Sequence, residues 1–114
     1  SKSGILMISE RGIKTYMKKR TLEQILPLGT IVLLKGGNKK IMIIGRCQED
    51  VKTKHQYDYS ACFYPEGWIS AQETIMFNQS EIDYVYYLGL QDGEEFAFRG
   101  FMEERLSELN LLEE

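Results

Sequence analysis

The segment Leu28–Arg46 constrains the fold of this chain most strongly. Residues 30–34 (TIVLL) and residues 41–44 (IMII) are apolar runs of strand-forming character, and residues 36–39 (GGNK) between them tolerate positive φ. Two such runs joined by a short Gly/Asn loop predict a β-hairpin. Because both runs are apolar at successive positions, we expect both faces of the hairpin to be covered at least in part.

Four further stretches have strand character. Residues 57–64 (YDYSACFY) alternate, so the odd-numbered side chains form one apolar face and the even-numbered ones a mixed face. Residues 68–69 and 74–77 predict short extended pieces, and residues 83–90 (DYVYYLGL) predict another strand. The polar residues 47–56 are interpreted as a loop or as a strongly exposed hairpin end.

Both ends of the chain have helical character. Residues 5–27 are basic and mildly amphipathic, and Pro27 ends the second of two short predicted helices. Asn78 is predicted to cap one helical turn, and Asp92 to cap the C-terminal helix. An apolar arc along this last helix either packs on the sheet or contacts a partner. Its residues are Phe98, Phe101, Met102, Leu106, Leu109 and Leu112.

These elements predict an α+β fold. We expect a small curved antiparallel β-sheet or open barrel of four to five strands, with a C-terminal amphipathic helix and a short N-terminal helical arm. A chain of 114 residues fits one domain. Residues 1–22 are assigned to the basic arm, whose first four residues resemble a vector-derived remnant, and residues 23–114 to a single domain.

Charge is distributed unevenly along the chain. The net charge is −3, which argues against a general affinity for nucleic acid. Residues 1–50 carry ten Lys/Arg and four Asp/Glu, whereas residues 51–114 carry four Lys/Arg and thirteen Asp/Glu. This asymmetry either steers a partner or is neutralised where the two halves meet in the fold.

The residues do not assemble into a recognisable catalytic or metal site. With one histidine and two separate cysteines, a zinc site is improbable, and we expect no cofactor and no catalytic residue. His55 is interpreted as a solvated loop residue, and Cys62 as a small buried hydrophobic residue. Asp58 is either a catalytic acid or a hydrogen-bonding residue at a sheet edge. We expect the two cysteines to be reduced thiols in a cytosolic protein. No stretch of the sequence approaches the length of about 20 apolar residues that a membrane span needs.

Aromatic residues favour a protein-binding role. Seven aromatic residues are more than a small core needs, so we expect some of them to be exposed, although any one of them could fill the core. They are Tyr57, Tyr59, Tyr64, Trp68, Tyr84, Tyr86 and Tyr87. The candidate partner-binding residues are Tyr57, Asp58, Tyr59, Tyr64, Trp68, Phe98 and Met102. An exposed sheet edge is a further candidate, because it can accept a strand. A small nucleic-acid-binding barrel is the alternative, based on the basic arm and the lysines of residues 35–40.

The order of several motifs resembles one known family. It is the small family of unknown function (domain of unknown function 4176) that is encoded beside LXG toxins in type VII secretion loci of Gram-positive bacteria. The resemblance spans Leu26 to Leu90 and rests on these segments: LPLGTIVLLKGG (26–37), KKIMIIGR (39–46), YDY (57–59), YPEG (64–67), FN (77–78) and EID (81–83).

This resemblance implies a cytoplasmic, non-enzymatic accessory protein. Such a protein would act like a chaperone and bind a cognate LXG toxin, or the small helical proteins that target it for secretion. The family carries no catalytic residues over to this chain. An immunity protein that neutralises a toxin domain is the alternative within such a locus.

Overall fold

The structure, a computed structural model, describes residues 25–108. Its elements in chain order are β1 (Ile31–Leu34), β2 (Ile41–Glu49), β3 (Gln56–Phe63), β4 (Ile75–Phe77), β5 (Ile82–Tyr87) and α1 (Gly93–Glu108). The five strands form one antiparallel sheet in the order β4-β3-β2-β1-β5. The predicted α+β fold with a five-stranded antiparallel sheet and a C-terminal helix is therefore confirmed.

The predicted hairpin is formed by β1 and β2. Val32 pairs with Ile41 across the two strands. The connecting loop turns at Gly36, whose φ of +77° is a backbone conformation that glycine adopts without steric cost. The apolar runs and the Gly/Asn loop thus form the element that their sequence predicts.

The second hairpin, β2–β3, is longer than the sequence pattern indicates. β2 continues through residues 47–49, because Gln48 and Glu49 pair with the start of β3. The loop is therefore confined to residues 50–55, where the Asp50 carboxylate accepts the backbone N–H of Lys52 at 2.9 Å. The interpretation of residues 47–56 as a hairpin end is right, and their interpretation as a loop throughout is wrong.

A short connection forces the sheet to curve. β4 and β5 lie at opposite edges of the sheet, and in a flat sheet strands four places apart would be separated by about 19 Å. Only residues 78–81 join them, and a link of this length spans at most about 17 Å. Part of this link is a 3-10 turn, Gln79–Glu81, which shortens it further. The two edges must therefore curl towards each other around the core.

The core lies on the concave side of the curved sheet. Alternate residues of neighbouring strands point to this side, and α1 contributes one methionine to it. The buried cluster consists of Ile25, Val32, Ile41, Ile43, Tyr59, Ala61, Phe77 and Met102. This side of the sheet is referred to below as the core face.

Three boundaries differ from the predicted ones. Residues 68–69 are not in a strand, and Ile25 and Leu26 are not helical, since Ile25 is buried in the core instead. β5 ends at Tyr87 rather than continuing to Leu90. The reason lies at Gly89, where a Cβ atom would come within 2.0 Å of the carbonyl oxygen of Leu28. This close approach replaces strand pairing.

Both predicted caps are confirmed. The Asp92 carboxylate accepts the N–H of Glu95 at 3.0 Å at the start of α1, and Asn78 and Glu81 form a capping box. The predicted apolar arc of α1 is only partly buried, because Met102 packs into the core whereas Phe98 and Phe101 are exposed.

Several predictions concern residues that the structure does not describe. The arm over residues 1–22 lies outside the described residues, and so do Leu109 and Leu112. Within residues 25–108, no helix is both long and apolar enough to cross a membrane.

Candidate functional site: a tyrosine face on the sheet

The second face of the sheet is built from the residues that alternate with the core residues. Strand register and the hydrogen bond from the N–H of Tyr64 to the carbonyl of Lys40 place four residues side by side: Tyr64 just after β3, Lys40 just before β2, Leu33 in β1 and Tyr84 in β5. A neighbouring row contains Cys62, Met42, Ile31 and Tyr87. We call the surface formed by these two rows and Tyr86 the tyrosine face.

A bulge in β5 concentrates tyrosines on this face. Val85 pairs with Val32 and Tyr87 pairs with Ile31, so Tyr86 is an extra residue in the register. A β-bulge sets two residues of one strand against a single residue of its neighbour and so breaks the strict alternation of faces. The rings of Tyr84 and Tyr86 lie 4.7 Å apart in an edge-on arrangement, which shows that both occupy the same face.

The tyrosine side chains are well exposed for residues of a sheet. The exposed fraction is 57% for Tyr84, 48% for Tyr86, 61% for Tyr87 and 40% for Tyr64. A cluster of exposed aromatic residues is a feature of protein interfaces, because aromatic side chains bury a large area with few rotatable bonds. The arrangement therefore has the composition of a binding surface.

A single charge lies within the tyrosine face. The Nζ atom of Lys40 is 4.7 Å from the centre of the Tyr86 ring, at cation–π distance. The neighbouring Lys39 faces elsewhere and pairs with Glu66 at 2.8 Å. This hydrogen bond with Lys39 holds the pKa of Glu66 below its ordinary value. The charge on the tyrosine face is therefore that of Lys40, whose ammonium group lies beside the Tyr86 ring.

The tyrosine face ends at an edge strand. Among the described residues, β5 pairs with β1 alone. Residues 82–87 contain neither proline nor lysine, two residue types that commonly protect sheet edges, and carry one charge, at Asp83. The outer edge of β5 can therefore extend the surface that the tyrosines provide.

Three of the seven predicted partner-binding residues are buried in this structure, and the binding role of all seven stays a prediction. Tyr59 is 0% exposed, and its hydroxyl accepts the N–H of Leu26 at 2.9 Å and donates to the side chain of Gln79. Asp58 is 3% exposed and accepts the N–H of Gln79 at 2.7 Å. Met102 is 7% exposed, with its sulfur 3.9 Å from the thiol of Cys47.

The burial of Asp58 and Tyr59 has a structural purpose. Together they attach the link after β4 to the centre of the sheet, since Asp58 also donates its N–H to Asn78 at 3.0 Å. These hydrogen bonds support the interpretation of Asp58 as a hydrogen-bonding residue. It lies in β3, next to the edge strand β4.

The other predicted contact residues reach the surface in different places. Tyr64 belongs to the tyrosine face. Trp68 is 63% exposed in the loop before β4, and Tyr57 is half-buried beside the ring of His55. Phe98 is exposed on α1, where its ring lies 5.9 Å from that of Phe101. The seven predicted residues therefore do not form one site.

The surface that sequence reasoning missed is formed by Tyr84, Tyr86, Tyr87 and Lys40. The three tyrosines belong to the aromatic excess noted in the sequence, but strict alternation would divide them between the two faces. The signal that could have found them is the unbroken run of large side chains in residues 84–87, which an ordinary two-sided strand does not need.

Residues with catalytic potential are scattered. Within residues 25–108, no group of three or more His, Cys, Asp or Glu side chains is placed to hold a metal ion. His55 is exposed in the β2–β3 loop and Cys62 is buried, as predicted. Within residues 25–108, neither Cys47 nor Cys62 forms a disulfide bond.

A largely buried cluster of charges attaches α1 to the sheet. Arg46 of β2 binds Glu95 through both of its terminal nitrogens, at 2.6 and 2.9 Å, and Arg99 binds the same carboxylate at 2.9 Å. Burial raises the pKa of Glu95, but the hydrogen bonds and charges of Arg46 and Arg99 outweigh it, so this pKa lies below the ordinary value. The cluster holds α1 against the sheet, and the folded chain favours the ionised form of Glu95.

The family comparison bears on these same elements. The model of the family described as "Domain of unknown function (DUF4176)" matches residues 25–98, which include all five strands and the start of α1. The chain belongs to the DUF4176 family. Comparison of this DUF4176 protein with curated proteins and with solved structures gives no match. The predicted family is confirmed, and the function implied by its resemblance stays a prediction.

Proposed function

We propose that this DUF4176 domain is a non-enzymatic protein-binding module, and that its tyrosine face is the binding surface. The observation that carries the proposal is the set of exposed tyrosines on one face of the sheet: Tyr84, Tyr86 and Tyr87 lie on the edge strand β5, and Tyr64 lies at the far side of the same face, after β3. Their backbone is fixed by the sheet, so binding would order few further degrees of freedom.

The proposed partner follows from the resemblance described above. The domain would act in the cytoplasm as a chaperone-like accessory protein that binds a cognate LXG toxin, or its small helical targeting partners, before type VII secretion. The tyrosine face supports this role because a broad aromatic surface can receive the apolar side of a partner helix. An immunity protein that blocks a toxin domain would use the same face against a different part of the toxin.

Separate halves of a toxin distinguish these two roles. The domain is co-expressed with the helical N-terminal region of a neighbouring LXG toxin, and separately with its C-terminal toxic domain. The chaperone proposal predicts a stable complex with the helical region or with the small targeting proteins. A complex that forms with the toxic domain alone would establish the immunity alternative instead.

Matched substitutions test the surface itself. Replacing Tyr84 and Tyr86 by alanine is expected to weaken the complex by at least about tenfold, because interface aromatic residues commonly contribute more than this. Phe101→Ala is the control, since Phe101 is 54% exposed but lies on α1. Equal affinity of the double variant and the control, with both proteins folded, would show that the tyrosine face is not the binding surface.

The nucleic-acid alternative has a test of its own. In this alternative, Lys40 contacts a phosphate and the exposed tyrosines beside it stack on bases. Lys39 contributes less positive charge, because it is paired with Glu66. Titration with labelled single-stranded DNA and RNA at low ionic strength would reveal salt-dependent binding if this alternative holds. The protein-binding proposal predicts none.

A further inference from the structure

One flank of α1 is exposed at the point where the N-terminal segment joins the domain. The flank contains Phe96, Gly100, Glu103, Glu104 and Ser107, which fall within one arc of about 100° on the helix. Phe96 is 55% exposed, and a side chain added at Gly100 would meet only open space. We call this surface the arm-side flank of α1.

The chain enters the domain beside this flank. Arg99, one helical turn from both Phe96 and Glu103, donates from Nη2 to the carbonyl oxygen of Ile25 at 3.2 Å. Arg46 holds the next carbonyl, that of Leu26, at 3.4 Å. Ile25 therefore lies next to α1, and the segment that precedes it starts from this fixed point.

The charges of the two regions are complementary. Residues 1–24 carry six lysines and arginines and two glutamates, a balance of +4. Residues 93–108 carry five glutamates and two arginines, a balance of −3. Glu95 and Arg99 bind each other, so the exposed charge of α1 is dominated by Glu94, Glu103, Glu104 and Glu108. The arm-side flank thus combines an exposed ring with two exposed carboxylates, Glu103 and Glu104, which form no ion pair with another residue of 25–108.

The N-terminal segment has the matching residues and the length. Its sequence places Ile13, Tyr16 and Met17 at helical spacing, with Lys14 and Lys18 among them. A helix of 16 residues such as α1 is about 24 Å long, a distance that a segment of twenty residues spans even if it is fully helical.

We propose that the basic segment 5–24 of this chain binds the arm-side flank of its own helix α1, with its apolar residues against Phe96 and its lysines near Glu103 and Glu104. The fixed entry point at Arg99 makes this contact intramolecular, which raises the effective concentration of the segment at the flank. The contact is separate from the tyrosine face, so its failure would leave the proposed function intact.

Carbodiimide cross-linking of the full chain tests the contact directly, because it joins an ammonium and a carboxylate group that touch. The proposal predicts links from Lys14, Lys18 or Lys19 to Glu103 or Glu104. An equimolar mixture of ¹⁵N-labelled and unlabelled protein shows whether the links form within one chain. The proposal is overturned if the segment's lysines link only to other carboxylates, link only between two chains, or do not link.

Limited proteolysis with trypsin gives an independent measurement. Cleavage after Arg20 should accelerate at least about fivefold in Phe96→Ala, because losing the burial of a phenylalanine ring shifts an opening equilibrium by more than this factor. Phe101→Ala is the matched control, since it removes an exposed ring from a different flank. Equal rates in the two variants would contradict the proposal.

A second pair of variants isolates the charge. Replacing Glu103 and Glu104 by glutamine should also accelerate cleavage after Arg20, and added salt should reduce the difference from the unmodified protein. Glu94→Gln, on the opposite flank, should leave the rate unchanged. If Glu94→Gln has the same effect as the double variant, the contact does not lie on the arm-side flank.

Discussion

The dipeptide Asp-Tyr occurs twice in strands of this domain and has opposite roles in the two places. Asp58-Tyr59 lies in β3, which has a neighbour on each side, and both residues are buried. Asp83-Tyr84 lies in the edge strand β5, and both are exposed. The position of a strand within the sheet, rather than its residues, thus decides whether a tyrosine stabilises the fold or is available to a partner.

The largest expected effect is on the buried tyrosine. Tyr59→Ala removes a ring that packs 5.2 Å from Phe77, together with a hydroxyl that binds Leu26. We expect the free energy of unfolding to fall by about 3–5 kcal/mol, as for other large aromatic residues in cores. Urea unfolding at equilibrium measures this change.

Tyr84→Ala is the matched control for Tyr59→Ala. It should change the free energy of unfolding by less than about 1 kcal/mol, the range for cross-strand pairs at a sheet surface. A comparable loss of stability in the two variants would remove the distinction between the core face and the tyrosine face.

A smaller but still large effect is expected where α1 joins the core face. The side chain of Arg46 is 4% exposed and that of Glu95 is 10% exposed. Arg46→Ala leaves the carboxylate with Arg99 as its remaining partner, and we expect a loss of about 3 kcal/mol. Lys39→Ala is the control, because it breaks an ion pair that is exposed to solvent. Unchanged stability of Arg46→Ala would show that the buried pair does not attach the helix.

The two aspartates should differ in the same direction as the two tyrosines. Asp58→Ala leaves the half-buried N–H of Gln79 without its acceptor, and we expect a loss of about 1–3 kcal/mol in the free energy of unfolding. Asp83→Ala, on the exposed edge strand, should be close to neutral. Urea midpoints of the two variants that agree within error would contradict the comparison.

The smallest expected effect is the pH dependence of the helix anchor. The pKa of Glu95 is lower in the folded chain than its ordinary value of 4.5, so ionised Glu95 favours folding. Its contribution should be complete above the ordinary pKa and should be lost as the pH falls through the lower folded value. The difference in urea midpoint between the unmodified protein and Glu95→Gln should therefore shrink as the pH falls below 4.5. A constant difference would contradict this assignment.

Much of the fold follows from local signals in the sequence. The β1–β2 hairpin, the alternation in β3 and both caps depend on neighbouring residues, so pattern and propensity predict them correctly. The end of β5 depends instead on the approach of Gly89 to Leu28, which is 61 positions earlier in the chain. A local sequence pattern cannot reveal a contact between residues that are so far apart in the chain.

The candidate site was harder to predict for a related reason. Sequence alternation assigns Tyr57 and Tyr59 to one face, but it does not say whether that face is covered, and the core covers it. The tyrosine face depends on the bulge at Tyr86, which changes which side of β5 the following residue occupies. Strand order and register, both long-range properties, decide where the exposed aromatic residues lie.

Amide hydrogen exchange of the domain, alone and in complex with its partner, tests the central claim most directly. We predict that binding slows exchange in residues 82–87 of β5 and in the turn at Tyr64 on the far side of the tyrosine face, while exchange in α1 is unchanged. Protection confined to α1 or to the β2–β3 loop would contradict the assignment of the tyrosine face as the binding surface.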